Sequence, residues 1–156
     1  IGEGGMLSDV LANAVFDTPV RTLGGYSCDV SSLYGERFAL LGNAGEFLDP
    51  VFSSGVTIAL KSATLAAATV HRQLQGLEPD WQNEYAAPLK TGIDTFRVFV
   101  EGWYDGRLQD VIFADNKGDS IKAMISSILA GYAWDTRNPY VREPNRLTTL
   151  AELCRA

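Results

Sequence analysis

The sequence predicts an α/β fragment that is predominantly helical, with a few strands, a long helix and a helical C-terminal region. A short apolar run at residues 38–41 is typical of a strand that is covered on both faces. A long helical pattern follows at residues 54–75, and helical spacing of apolar residues returns from residue 77 onward. The length of 156 residues fits one domain or part of a larger one.

The first segment, residues 1–33, reads as a short helix followed by extended chain. Apolar residues at helical spacing predict a helix over residues 6–15, which Thr18-Pro19 ends. Residues 20–30 then predict a strand, with a bulge or bend at Gly24-Gly25.

The second segment, residues 34–76, reads as strand, loop and helix. The strand at 38–41 runs directly into Gly42-Asn43-Ala44-Gly45, and Gly76 stands where a cap would end the helix of residues 54–75. Small residues in that helix would let a neighbouring backbone or a flat ligand come close: Ala59, Ala63, Ala66, Ala67 and Ala68.

The third segment, residues 77–156, is predicted to be helical throughout. A helix should run from residue 77 to about residue 104, with a kink or break at Pro88. Helical patterns continue at residues 108–114, 121–134 and 147–155. One face of the helix around residue 100 is aromatic and apolar, which indicates core or a domain interface: Phe96, Phe99, Val100 and Trp103.

Composition excludes several classes of protein. The net charge of −6 lacks a concentrated basic stripe, which argues against nucleic-acid binding. The stretch poorest in charge, residues 47–68, is interrupted by Asp49 and Lys61, so no transmembrane span is predicted. The chain starts at Ile1 without a signal-peptide pattern, and a cytoplasmic location is expected.

The sequence is also poor in nucleophile partners and metal ligands. Cys28 and Cys154 lie far apart and are interpreted as reduced thiols. His71 is the only histidine and is expected on an exposed helix face, so a zinc site and a histidine-dependent triad both lack residues. No catalytic residue and no metal site are therefore assigned.

Residues 38–56 are the segment suited to chemistry. A glycine turn after a buried strand lies where open α/β sheets bind ligands, and glycine lets the backbone approach a phosphate or a ring. Asn43 offers a donor and an acceptor for a ribose hydroxyl or a phosphate oxygen. Asp49-Pro50 then constrains the loop before a rigid φ.

The end of this segment opens a helix. Free backbone N–H groups at Ser54, Gly55 and Val56 would point along the positive helix end and suit an anion or the electron-rich edge of a reduced flavin. The alternative interpretation is an ordinary strand–loop–helix connection with a serine N-cap.

The whole run 42–56, GNAGEFLDPVFSSGV, resembles the second FAD motif of the flavin-dependent halogenase family. That family belongs to the aromatic-hydroxylase-like flavoproteins, which include the geranylgeranyl reductases. The resemblance extends outward through Tyr26-Ser27 and residues 96–105 to residues 129–132. It implies the C-terminal part of an FAD-binding oxidoreductase, with residues 1–33 as the end of a substrate-side region.

The resemblance also implies the contacts to the cofactor. On the ribityl–pyrophosphate side of FAD it places Gly42, Asn43 and Ala44. It makes Asp49 and Pro50 shape the loop, and it turns the N–H groups of Ser54, Gly55 and Val56 toward the pyrimidine edge of the flavin. The implied halide site is Ser54 and Gly55.

Two departures from the family pattern bear on the reaction. Asn43 stands where most hydroxylase-like flavoproteins have Asp, which keeps the acceptor but removes the charge. Phe52 stands where tryptophan halogenases place a catalytic Glu, which favours a phenol- or pyrrole-type halogenase, or a relative that does not halogenate.

Two parts of the family pattern belong to an N-terminal half that this sequence does not contain. The lysine that passes on hypochlorous acid is not matched, since Lys61 and Lys90 are expected to be exposed helix residues. The Gly-x-Gly-x-x-Gly loop is not matched either, since residues 2–5 read GEGG without a preceding strand. The chain alone is therefore expected to be inactive, with the N-terminal FAD-binding half as its partner.

Other functions stay open on the sequence. The reaction could be a halogenating monooxygenation, a hydroxylation or a reduction like that of geranylgeranyl reductases, with a small aromatic or isoprenoid substrate. A third alternative is a non-enzymatic helical interaction module. Unpaired strand edges and apolar faces would then favour self-association.

Overall fold

The computed structural model describes residues 4–15, 17–25, 27–114 and 118–155. Most of these residues are helical, as predicted. The helices are α1 (Met6–Val10), α2 (Gly55–Leu74), α3 (Ala87–Tyr104), α4 (Arg107–Phe113), α5 (Asp119–Leu129), α6 (Pro139–Arg142) and α7 (Arg146–Arg155).

The strands in the described ranges are short and form two separate antiparallel pairs. They are β1 (Cys28–Asp29), β2 (Tyr34–Gly35), β3 (Phe38–Ala39) and β4 (Glu46–Phe47). Strand β1 pairs with β4, with Asp29 opposite Glu46, and β2 pairs with β3 in a tight hairpin.

The predicted strand at residues 38–41, covered on both faces, is wrong. Only Phe38–Ala39 forms a strand, and Phe38 is 54% exposed. The reason is local pairing, because β3 pairs with β2 directly before it in the sequence. The Phe38 ring lies over Gly35, and a Cβ at Gly35 would come within 2.3 Å of that ring.

The N-terminal predictions are only partly realised. Helix α1 ends at Val10 rather than near residue 15, and none of its residues is buried, so no packing extends it. Among the described residues of the range 20–30, only Cys28–Asp29 forms a strand, and Gly25 has a turn-like φ of 66°. Tyr26 and residues 1–3 lie outside the described residues.

Helix α2 confirms the predicted long helix and its end. Gly76 has φ 80° and donates to the carbonyl of Gln73 at 3.0 Å, while Leu77 donates to the carbonyl of Arg72 at 3.2 Å. These bonds satisfy the last carbonyls of the helix, as expected of a glycine cap.

The helix predicted over residues 77–104 begins later and does not break at Pro88. Asp80 accepts from the Asn83 N–H at 3.0 Å, and a π-helical turn at Gln82–Ala86 leads directly into α3. Pro88 thereby falls in the first turn of α3, a position that tolerates proline. The helix therefore continues through Pro88, with a widened π-helical turn just before it.

Helix α3 forms the centre of the core. Its Phe96 and Phe99 are 1% and 0% exposed, and Ile58 of α2 and Leu147 of α7 belong to the same buried cluster. Val100, on the predicted aromatic face, is also buried, whereas Trp103 at the end of that face is 37% exposed. The last helices match their predicted patterns, although α5 ends at Leu129 rather than near residue 134.

Two lysines predicted to be exposed differ in their surroundings. Lys90 is exposed, as is His71. Lys61 is half-buried, with its Nζ 5.7 Å from the centre of the Trp134 ring, a cation–π contact that the sequence did not indicate.

Three further observations concern the described part of the chain. None of its helices combines the length and apolar character that a membrane crossing requires. Its His, Cys, Asp and Glu side chains form no group of three suited to a metal ion. Cys28 and Cys154 are free thiols, the first exposed and the second half-buried.

Candidate functional site

A cleft of about 630 Å³ lies between the glycine turn and the start of α2. Its wall is mainly apolar side chains and backbone. It is lined by Leu41, Gly42, Asn43, Ala44, Phe47, Leu48, Pro50, Ser53, Gly55, Val56 and Ala59.

The glycine turn forms the first wall of this cleft. Gly42–Ala44 adopts one turn of 3-10 helix, closed by the Gly45 N–H on the carbonyl of Gly42 at 3.0 Å. Gly42 is buried with φ 52°, and a Cβ there would lie 3.1 Å from the Cβ of Ala59. Only glycine therefore lets the turn lie so close to α2.

Two side chains fix the turn from below. The Oγ of Ser62, on α2, accepts from the Gly42 N–H at 2.9 Å and donates to the carbonyl of Ala59 at 2.9 Å. The hydroxyl of Tyr85, in the π-helical turn, donates to the carbonyl of Leu40 just before the glycines. These bonds pair buried groups of the turn and hold the wall in one position.

The start of α2 forms the second wall. Pro50–Phe52 makes a 3-10 turn, with the Asp49 carboxylate accepting from the Val51 N–H at 3.2 Å. Ser53 then takes a left-handed conformation with φ 53°, and no side chain caps the N-terminus of α2. The first turn of α2 consequently presents backbone N–H groups that no side chain caps, at the positive end of a 20-residue helix.

The two walls bring together six of the eight residues predicted from the sequence to bind a cofactor. Gly42, Asn43, Ala44, Pro50, Gly55 and Val56 line the cleft. Asp49 and Ser54 do not: Asp49 holds the preceding turn, and Ser54, the N-cap residue of α2, is only 3% exposed.

Sequence reasoning missed several lining residues. Ser53 lines the cleft in place of Ser54, because its left-handed backbone turns the chain before the helix begins. Leu41, Phe47 and Leu48 were also missed, since single apolar residues in a loop carry no periodic signal.

Phe52 packs away from the cleft lining. Its ring meets Trp103 of α3 edge to face, with ring centres 6.0 Å apart. This contact anchors the loop to α3 through apolar surface, and at this position the chain has no acid or base.

A largely buried ion pair lies behind the glycine turn. Arg97 of α3 donates to Glu46 of β4 at 2.7 Å, and Glu46 is 6% exposed. Burial raises the pKa of the Glu46 carboxyl above its ordinary value, and the neighbouring Arg97 guanidinium offsets only part of that rise. No local pattern indicates this pair, because its members are 51 residues apart in the sequence.

Comparison with known proteins gives this geometry a context. No protein-family model matches the chain. A crystal structure of a flavoprotein/dehydrogenase from Cytophaga hutchinsonii is 44% identical, with a TM-score of 0.86 over 99% of this chain and 39% of its own. A flavin-dependent halogenase from Armillaria mellea is 32% identical over 63% of this chain and 19% of its own length. A tryptophan 2-halogenase from Chondromyces crocatus is 43% identical over 43% of this chain and 13% of its own.

The chain is similar in sequence to flavin-dependent halogenases over part of its length, and to the flavoprotein over nearly all of it. The predicted resemblance of the chain to flavin-dependent halogenases is thereby confirmed. The chain spans well under two thirds of the length of each of these three proteins: 39%, 19% and 13%.

Proposed function

We propose that this chain supplies the flavin-ring side of an FAD-dependent oxidoreductase resembling the phenol- or pyrrole-type halogenases. The observation that carries the proposal is the cleft itself, which joins the glycine turn and the uncapped start of α2 in one lining. The names of the relatives support the cofactor, since they are flavin-dependent halogenases and a flavoprotein.

The residues present fit the cofactor on geometry. The absence of a side chain at Gly42 lets the turn lie against Ala59, and Gly42, Asn43 and Ala44 all line the cleft. We assign these three residues to the ribityl–pyrophosphate side of FAD. Backbone approach and an amide side chain suit phosphate and hydroxyl oxygens.

The start of α2 fits the opposite end of the cofactor. The N–H groups of Ser54, Gly55 and Val56 would face the pyrimidine edge of the flavin, and Asp49 and Pro50 would set the loop. A positive helix end favours the electron-rich edge of a reduced ring. The bound flavin, when reduced, would supply the electrons for the reaction with oxygen.

The same helix start is the candidate halide site. We assign halide binding to the backbone at Ser54 and Gly55, with Ser53 added because it lines the cleft. Ser54 as a whole is 3% exposed and does not line the cleft, so a halide would meet the backbone mainly at Ser53 and Gly55. Turnover that does not depend on halide would favour a hydroxylase or a geranylgeranyl-reductase-like activity on an aromatic or isoprenoid substrate.

The proposed partner is the N-terminal FAD-binding half of such an enzyme. One face of α2 is apolar and exposed, with Leu60 67%, Val70 41% and Leu74 81% exposed. A face of this kind requires cover, because soluble chains rarely expose contiguous apolar surface. Self-association of the isolated chain, measured by light scattering, is expected when this face lacks its partner.

The test joins this chain to the remaining part of the Cytophaga hutchinsonii flavoprotein, whose matching region is 44% identical. The joined protein should retain FAD through gel filtration and show the visible absorbance of bound flavin. Val56→Glu should lower retention because it places a carboxylate in the cleft. Leu153→Glu, at an equally exposed position on α7, should not.

Two outcomes would oppose the proposal. A folded joined protein that stays colourless with excess FAD would overturn it and favour a helical interaction module. Equal loss of flavin in the Val56 and Leu153 variants would show that the cleft is not the binding surface.

A further inference from the structure

Ser62 of α2 is fully buried directly beneath the glycine turn. A serine within a helix usually bonds to its own helix, and here the hydroxyl proton goes to the carbonyl of Ala59 at 2.9 Å. That bond leaves the lone pairs of the Oγ free to accept. The Gly42 N–H meets the Oγ at 2.9 Å, across 20 residues of sequence.

The Gly42 amide needs such a partner. It is buried, so bulk water does not serve as its acceptor. A buried N–H without an acceptor is costly, so the turn would shift to find another partner if Ser62 lost its hydroxyl.

Ser62 also connects the two walls of the cleft, because it lies on α2 and bonds to the glycine turn. It lies seven residues after Gly55 on the same helix, about 10 Å along its axis at 1.5 Å per residue. Because α2 is one continuous helix, fixing Gly42 to Ser62 fixes the glycine turn relative to the helix start. The span between the two walls is the span that a ligand must bridge.

We infer that Ser62 is a positioning residue for the flavin site. It does not line the cleft, so it acts through the Gly42 backbone, and this inference rests on the proposed function. The ligand affected is the ribityl–pyrophosphate part of FAD, which the turn would contact. Removing the hydroxyl should weaken binding without unfolding the chain.

The experiment compares Ser62→Ala with Thr69→Val in the joined protein. Thr69 is a matched control on the same helix: it is 1% exposed, and its Oγ1 donates to the carbonyl of Leu65 at 2.9 Å. Ser62→Ala should lower FAD affinity several-fold and at most about tenfold, because the one hydrogen bond that holds the turn sets the upper limit of the effect. It should also change the visible circular dichroism of the bound flavin and speed amide exchange at Gly42. Thr69→Val should change none of these.

A second variant keeps the test decisive should Ser62→Ala fail to fold. Ser62→Cys keeps a side chain of similar size with a weak acceptor, and should give an intermediate loss of affinity. Equal FAD affinity and equal flavin dichroism in the Ser62 and Thr69 variants would overturn the role of Ser62 alone. A wild-type joined protein that takes up no FAD would instead overturn the proposed function, and this inference with it.

Discussion

Arg97 reaches from α3 to Glu46 of β4, with 2.7 Å between its Nη2 and the carboxylate Oε1. Glu46 follows Gly45 at the end of the glycine turn, so the pair connects the central helix to the base of the cleft. Asp29 lies opposite Glu46 in the antiparallel pair, which adds a like charge. The guanidinium of Arg97 on α3 therefore stabilises the position of β4.

Replacing Arg97 with Met should lower the free energy of unfolding by about 1–2 kcal/mol, because it leaves the Glu46 carboxylate buried without its cation. The loss should stay below that of a fully buried pair, because 34% of the Arg97 side chain is exposed. Urea unfolding at neutral pH measures it. Arg137→Met is the control: its bond to Asp135 is 2.8 Å long, but Arg137 is 90% exposed, and the change should be near zero.

Glu46 should also affect how stability depends on pH. Burial raises the pKa of its carboxyl in the folded state, so the folded protein binds a proton at a pH where the unfolded chain does not. Above the folded pKa, the buried carboxylate is charged and lowers the free energy of unfolding. This destabilisation disappears as the pH falls toward the pKa of Glu in an unfolded chain, about 4.3.

Comparison of wild type with Glu46→Gln isolates this effect from other titrating groups. The pKa of Glu46 is higher in the folded protein than in the unfolded chain, where it is about 4.3. The free energy of unfolding of wild type, relative to the variant, should therefore rise as the pH is lowered from above the folded pKa toward that unfolded value. Urea unfolding at several pH values measures it. A relative stability of wild type that falls on acidification would mean that Arg97 outweighs burial and that the pKa is lowered.

Gly42→Ala should destabilise the chain more than Gly76→Ala. Both glycines have positive φ, 52° and 80°, so each substitution should cost about 1–2 kcal/mol of backbone strain. A Cβ at Gly42 would also lie 3.1 Å from Ala59, whereas a Cβ at Gly76 would meet nothing within 4 Å. Thermal unfolding of both variants measures the difference, and equal losses would show that the turn does not press on α2.

Much of the helical fold and of the cleft could be predicted from the sequence. Helix α2 and its Gly76 cap are local features: apolar spacing sets the helix, and one glycine ends it. The two walls of the cleft were predicted together for a similar reason. Only residues 45–54 connect the glycine turn to the start of α2, and so short a connection keeps the two walls close.

What the sequence could not show depends on distant contacts. Residues 38–41 were predicted to form a buried strand because all four are apolar. In the structure, the first two form one strand of a short hairpin, in which Phe38 is exposed. Ser62 and Tyr85 read as ordinary helix residues until α2 and the π-helical turn place their hydroxyls under the glycine turn. Lys61 was predicted to be exposed because its contact with Trp134, which lies far along the sequence, leaves no local pattern.

Gly92→Ala should destabilise the chain by about 1–3 kcal/mol, even though alanine is the better helix former by about 1 kcal/mol. The indole of Trp134 lies against Gly92, and a Cβ there would come within 2.1 Å of the ring. Trp134 cannot move away easily, because its Nε1 donates to the carbonyl of Pro88 at 2.9 Å and its ring packs edge to face on Phe96.

A double-mutant cycle with Trp134→Leu gives the control for this last substitution. With the indole gone, Gly92→Ala should become neutral or stabilising, because only the gain in helix propensity remains. Urea unfolding of the four proteins yields the coupling between the two positions. If Gly92→Ala costs the same free energy in both backgrounds, the close packing of α3 against Trp134 is not what requires glycine there.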